Sequence, residues 1–136
     1  MQQTNRALYE EVILEHNRKP RNFHSMEDAA RKIEGHNPLC GDHIRIDLRV
    51  DENNRITEAA FSGQGCAISQ ASADMLVESI IGKTLDEVKA LTKEHIFDLL
   101  GIDLGPVRVK CALLSLKVLK AGVYGLGEAS DELVEK

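Results

Sequence analysis

Ile44-Arg45-Ile46-Asp47-Leu48-Arg49-Val50, followed by Asp51-Glu52-Asn53-Asn54 and Arg55–Ser62, is the stretch that decides the fold. Ile44, Ile46, Leu48 and Val50 alternate with Arg45, Asp47 and Arg49, the period-2 pattern of a strand with one buried face. Asp51–Asn54 is turn chemistry. Residues 55–62 read as the return strand, with Thr57, Ala59 and Phe61 toward the core and Ile56 on the opposite parity. A hairpin centred on residues 52–53 places residue 42 opposite 63 and residue 40 opposite 65. One hairpin is marginal alone, so a third strand is expected near residues 64–69.

Around this hairpin the period is helical. Residues 5–17 read as a helix with Leu8, Val12 and Ile13 on its apolar face, and Pro20 stops it. Arg18–Gly41 lacks clear periodicity apart from a short turn near Met26–Ile33. After the hairpin, Ala73, Leu76, Val77, Ile80 and Ile81 form the stripe of a packed helix that Gly82 ends. Thr84-Leu85-Asp86-Glu87 is a capping box that opens a helix to about residue 93. A short helix over 94–100 ends at Gly101. Pro106 starts a last helix, with Leu113, Leu116, Leu119 and Val123 inward. The arrangement is α+β, in one domain over residues 1–136 with a loose tail from about 125.

Composition narrows the function. The 136 residues carry 17 Lys and Arg against 22 Asp and Glu, a net charge of −5. That argues against nucleic acid as a partner, since its binders cluster basic residues. No apolar run approaches the roughly 18–20 residues that cross a membrane. The N-terminus lacks a basic region followed by an apolar one, so no secretory signal is expected. The three cysteines are an odd number, which fits free thiols in a cytoplasmic protein better than a disulfide framework.

The hairpin register brings those thiols together. Cys40 and Asp42 lie just before the first strand and Cys66 just after the second, so two thiols and a carboxylate meet at one end of the sheet. If the last helix crosses that end, Cys111 joins them. Three Cys and one Asp suit tetrahedral Zn²⁺ or cluster iron, and a hard oxygen among soft sulfurs is the ligand most easily displaced. Gly41, Gly63 and Gly65 let the backbone turn sharply there. Three cysteines without CxxC spacing are equally compatible with core filling. Lys110 beside Cys111, and Arg108 two residues earlier, would favour the thiolate if either ammonium or guanidinium reached it. His16, His24, His36, His43 and His95 read as packing or surface residues. Ser69 and Ser72 read as residues of a helix start and are expected to carry no chemistry.

Three ordered motifs carry a resemblance. Asn37-Pro38-Leu39-Cys40-Gly41-Asp42, then Gly63-Gln64-Gly65-Cys66-Ala67-Ile68-Ser69 with Ala71-Ser72-Ala73, then Val107-Arg108-Val109-Lys110-Cys111 resemble the IscU/SufU/NifU N-terminal domain family of iron–sulfur cluster assembly scaffolds. His16-Asn17-Arg18-Lys19-Pro20-Arg21-Asn22 is similar to that family's helix exit. The resemblance implies a three-stranded antiparallel sheet with helices on one face, the SufE/IscU-like arrangement. It implies that Cys40, Asp42, Cys66 and Cys111 hold a transient cluster, of [2Fe–2S] type, or Zn²⁺ at the same site. Cys111 and Cys40 are the candidate persulfide acceptors. The implied partners are a cysteine desulfurase and apo iron–sulfur acceptor proteins. Leu104-Gly105-Pro106-Val107-Arg108 matches the family's chaperone-docking string only in part, which leaves a dedicated Hsp70-type chaperone unsupported. GQGCAIS and VKC resemble the zinc-containing SufU branch, yet Gly101–Gly105 has the IscU length without the SufU insertion, so the subtype stays open.

Overall fold

The computed structural model describes residues 2–26, 29, 31–37 and 41–125. The chain runs α1 (Gln2–Arg18), β1 (Arg31–Asn37), β2 (Asp42–Val50), β3 (Ile56–Gln64), α2 (Ala67–Ile80), α3 (Leu85–Lys89), α4 (Lys93–Leu100) and α5 (Pro106–Tyr124). The strands form one antiparallel sheet in the order β1-β2-β3. Helices α2 and α5 pack on one face of it, and α1 packs on α2.

The third strand is not at 64–69. Residues 67–80 are helix, and the sheet is completed by β1 on the other side of β2. Ile33 of β1 packs on the core, while Lys32, Glu34 and His36 are exposed. An edge strand of this kind gives no alternating apolar signal.

The hairpin register also differs from expectation. His43 pairs with Gln64 and Ile44 with Gly63, a shift of two residues. An irregularity at Arg49/Val50 and a longer loop account for it. Asp51 closes that loop by accepting the N–H groups of Asn53 and Arg55, each at 2.9 Å. A shift of two keeps every side chain on its face, so Ile44, Ile46, Leu48, Ala59 and Phe61 reach the core as expected. Beyond the irregularity the parity reverses: Ile56 is buried and Thr57 exposed. Asp47, on the polar face, is buried too. It pairs with Arg45 at 2.9 Å and accepts the Met26 N–H at 2.8 Å. Asp47 holds the Arg45 guanidinium still further above its ordinary value, by hydrogen bond first and charge second.

In α1, Ile13 is inward and Val12 is exposed; the side chain of Leu8 lies outside the described residues. His16 is buried with it and meets Asp74 of α2. In α2, Ile81 is the exposed cap residue and not part of the stripe. The Thr84–Glu87 capping box is present in both directions. The Thr84 hydrogen bonds hold the Glu87 carboxyl below its ordinary value. The helix they open stops at Lys89, and Thr92 precedes a separate α4, which Gly101 ends. Leu113, Leu116, Leu119 and Val123 of α5 are all buried. The expected loose tail falls on residues 126–136, outside the described residues. No described helix is long and apolar enough to cross a membrane.

Candidate metal and sulfur centre

Asp42, Cys66 and Cys111 come together at the end of the sheet. One ligand atom from each lies within 4.8 Å of the others. Asp42 shares the core-facing parity of Ile44, so the first residue of β2 points under the helices and is only 2 % exposed. Cys66 is the N-cap of α2, half-buried, with its backbone extended. Cys111 sits in the second turn of α5, on the buried side that Leu114 and Val118 continue. Cys40, the fourth expected ligand, lies outside the described residues.

The carboxylate is already oriented. Asp42 Oδ1 accepts the Cys66 N–H at 3.1 Å, and Oδ2 lies 3.8 Å from Cys66 Sγ. Metal–sulfur bonds of about 2.3 Å and metal–oxygen bonds of about 2.0 Å at tetrahedral angles set an O···S edge of about 3.5 Å. The observed separation is close to that edge, so one ion can bind both groups after a small adjustment. The donor set of two thiols and a carboxylate therefore fits zinc or cluster iron. The start of α2 adds the partial positive charge of its N-terminus beside this donor set.

Two glycines shape the floor. Gly63 has φ +128°, and a Cβ there would stand 2.0 Å from the His43 carbonyl oxygen. Gly65 is ordinary in φ but crowded: a Cβ there would meet Ser69 Oγ at 3.0 Å and Asp42 Oδ1 at 3.1 Å. Gln70 fixes the Gly65 carbonyl with a 3.0 Å hydrogen bond.

Other expected residues lie elsewhere. His43 and Glu34 form an exposed pair at 3.0 Å, on the face opposite Asp42. His95 bonds Ser79 Oγ at 2.9 Å, and burial holds its imidazole below the ordinary value. Lys110 is exposed and Cys111 buried on the same helix. Two residues escaped sequence reading. Ser69 caps nothing; it is buried beside Asp42. Asp74, fully buried, holds His16 and both the backbone N–H and Nδ2 of Asn22, at 2.9 and 3.2 Å. Its signal was a lone acid inside an apolar helical stripe, which demands a partner.

A small α+β sheet with thiols and one carboxylate converging at its end defines a soft-metal or sulfur-handling centre. Residues 8–130 match the NifU-like N terminal domain, and the chain belongs to that family. It is 36% identical over 134 residues to the zinc-dependent sulfurtransferase SufU of Bacillus subtilis, covering 86% of this chain and 90% of that one. It is 35% identical over 131 residues to the iron–sulfur cluster assembly scaffold protein IscU of Thermotoga maritima, covering 85% and 92%. The crystal structure of a putative iron–sulfur cluster assembly scaffold protein for the SUF system from Fervidobacterium islandicum superposes with a TM-score of 0.74 at 29% identity, over 83% of this chain and 94% of that one.

Proposed function

We propose that the protein is an iron–sulfur cluster assembly scaffold, acting as one unit in the cytoplasm. It accepts sulfur from a cysteine desulfurase, assembles a [2Fe–2S] cluster on Cys40, Asp42, Cys66 and Cys111, and passes it to apo-proteins. The observation that carries this reading is the convergence of Asp42, Cys66 and Cys111 within 4.8 Å, from three separate elements.

Each residue has a part in that chemistry. A thiolate of Cys111 or Cys40 attacks the outer sulfur of the donor's persulfide. The donor S–S bond breaks, a new S–S bond forms on this chain, and the donor cysteine leaves as thiolate. The start of α2, whose N-cap is Cys66, favours the negative charge this needs. Reducing that sulfur to sulfide takes two electrons from an external thiol or electron carrier. Cys66 and the other thiolates hold iron firmly, whereas Asp42 is the weak arm. Anchored by Oδ1 on the Cys66 amide, it can withdraw Oδ2 and open a position for an acceptor's thiolate.

A second reading is a zinc-dependent sulfurtransferase. The 36% identity to the Bacillus subtilis protein and the Gly-Gln-Gly-Cys-Ala-Ile-Ser motif favour it. In that case the same ligands hold zinc at rest, and a cysteine carries persulfide onward without building a cluster.

Transfer to apo-ferredoxin tests the first reading. Parent and Asp42→Ala, loaded with equal iron and sulfide, are compared by the growth of the ferredoxin spectrum. Asp42→Ala should keep its cluster and deliver it more slowly. Equal rates would remove Asp42 as the labile arm. A parent that carries labelled persulfide but never iron would establish the sulfurtransferase reading instead.

A further inference from the structure

Ser69 is a buried hydroxyl without a hydrogen-bond partner among the described residues. It is the third residue of α2 and 1 % exposed. A buried polar group left in that condition costs stability, so its retention calls for a reason. Other serines of the same helix avoid the cost. Ser72 and Ser79 turn back to the carbonyls of Ser69 and Leu76, at 3.1 and 2.8 Å. Ser69 has the equivalent carbonyl, that of Cys66, three residues behind it and does not use it.

Its surroundings supply the reason. Ser69 Oγ and Asp42 Oδ1 line the same small space above Gly65, where a single added methyl would touch both. Among the described residues Oδ1 has one hydrogen bond there, from the Cys66 N–H. A carboxylate oxygen accepts two with ease. At the third helical position a Glu or Gln ordinarily reaches back to the N-cap amide. Here Asp42 has taken that amide from another element, and the short Ser69 hydroxyl stands on the other side of the same Gly65 from its Oδ1.

We propose that Ser69 is a positioning residue for Asp42: its hydroxyl donates to Oδ1 in the loaded site and keeps Oδ2 turned toward the two sulfurs. Rotation about the Ser69 side-chain torsion aims the proton. With the Cys66 amide it forms a two-donor clamp on Oδ1, so Oδ2 alone moves on and off the metal. This inference rests on the assignment of Asp42 as a ligand.

The test uses the full chain loaded with zinc, and with cobalt(II) as a coloured substitute. Zinc release into excess chromogenic chelator is timed for the parent, Ser69→Ala, Asp42→Ala and the double variant. Ser69→Ala should release zinc about tenfold faster, the usual scale for a group that orients a ligand. In the Asp42→Ala background the same change should add nothing, because the hydroxyl acts only through that carboxylate. The cobalt spectrum of Ser69→Ala should shift toward that of Asp42→Ala. Its metal-free melting temperature should equal or exceed the parent's, since an unbonded hydroxyl is gone. Faster release from a protein no less stable is a pair of results that a merely packing serine does not give. Parental release from Ser69→Ala, or an effect fully additive with Asp42→Ala, overturns the inference while leaving the ligand set standing. A parent that takes up neither metal overturns both.

Discussion

Gly65→Ala separates the site from the fold. A Cβ at this position would lie 3.0 Å from Ser69 Oγ and 3.1 Å from Asp42 Oδ1. Carbon–oxygen contacts settle at about 3.3–3.6 Å, so each neighbour must move by roughly 0.3 Å. The backbone at Gly65 is not in the left-handed region, so the strain comes from contact with Asp42 and Ser69, whose Cβ would also stand 3.1 Å away and pass part of it to the first turn of α2. Small overpacking of this kind costs about 1 kcal/mol. Its effect on metal should be larger, because the atom pushed is the anchored oxygen of Asp42. Loss of ligand orientation weakens metal binding by about 10–100-fold. Gly82→Ala is the control. Gly82 has φ +92° with open space around it, so alanine there costs about 1–2 kcal/mol of backbone strain and touches no ligand. Urea denaturation and competitive zinc titration of the three proteins complete the comparison. Gly65→Ala should lose zinc affinity out of proportion to stability, and Gly82→Ala stability alone. A Gly65→Ala protein that binds zinc like the parent would refute the account of how Asp42 is held.

Cys66→Ser should lower zinc affinity by at least about tenfold, because a hydroxyl is a poor soft-metal ligand; the same titration reads it, and parental affinity would exclude Cys66. Asp74→Ala strands the Asn22 N–H and His16 in the interior and should cost about 3 kcal/mol by urea denaturation. For His95, burial lowers the folded value below the ordinary 6.5, so the unfolded chain binds more protons in the interval beneath it. That contribution is present above about pH 6.5 and is lost as pH falls through the lowered folded value. His95→Gln should therefore lose less stability than the parent between pH 7 and pH 5, measured by thermal melting.

The hairpin was legible because Ile44, Ile46 and Leu48 alternate without interruption, and alternation is a local signal. Its exact register was not, since the irregularity at Arg49/Val50 is set by the loop and by packing against Lys83, whose carbonyl accepts the Ile56 N–H. The meeting of Asp42 with Cys66 does not depend on that error, because a two-residue shift preserves parity. β1 was invisible: its charged exposed positions hide a core residue, Ile33. Burial of Asp47 and Asp74 depended on Met26 and on His16 with Asn22, partners 21, 58 and 52 residues away. Cys66 and Asp42 could be paired from the hairpin alone. The place of Cys111 needed the crossing of α5 over the sheet end, which spacing does not encode. Ser69 does lie at the helix start, as read, but its burial beside Asp42 depended on a contact with a residue 27 positions earlier in the chain.

Anaerobic reconstitution with ferrous iron, a cysteine desulfurase, cysteine and a reductant tests the central claim most directly, read by visible absorption together with iron, sulfide and zinc analysis. A scaffold should develop a sulfide-to-iron charge-transfer spectrum, with iron and acid-labile sulfide in equal amounts. Cys66→Ser and Cys111→Ser should fail to hold that chromophore. A parent that stays colourless, with zinc and no iron retained, would contradict cluster assembly at this site.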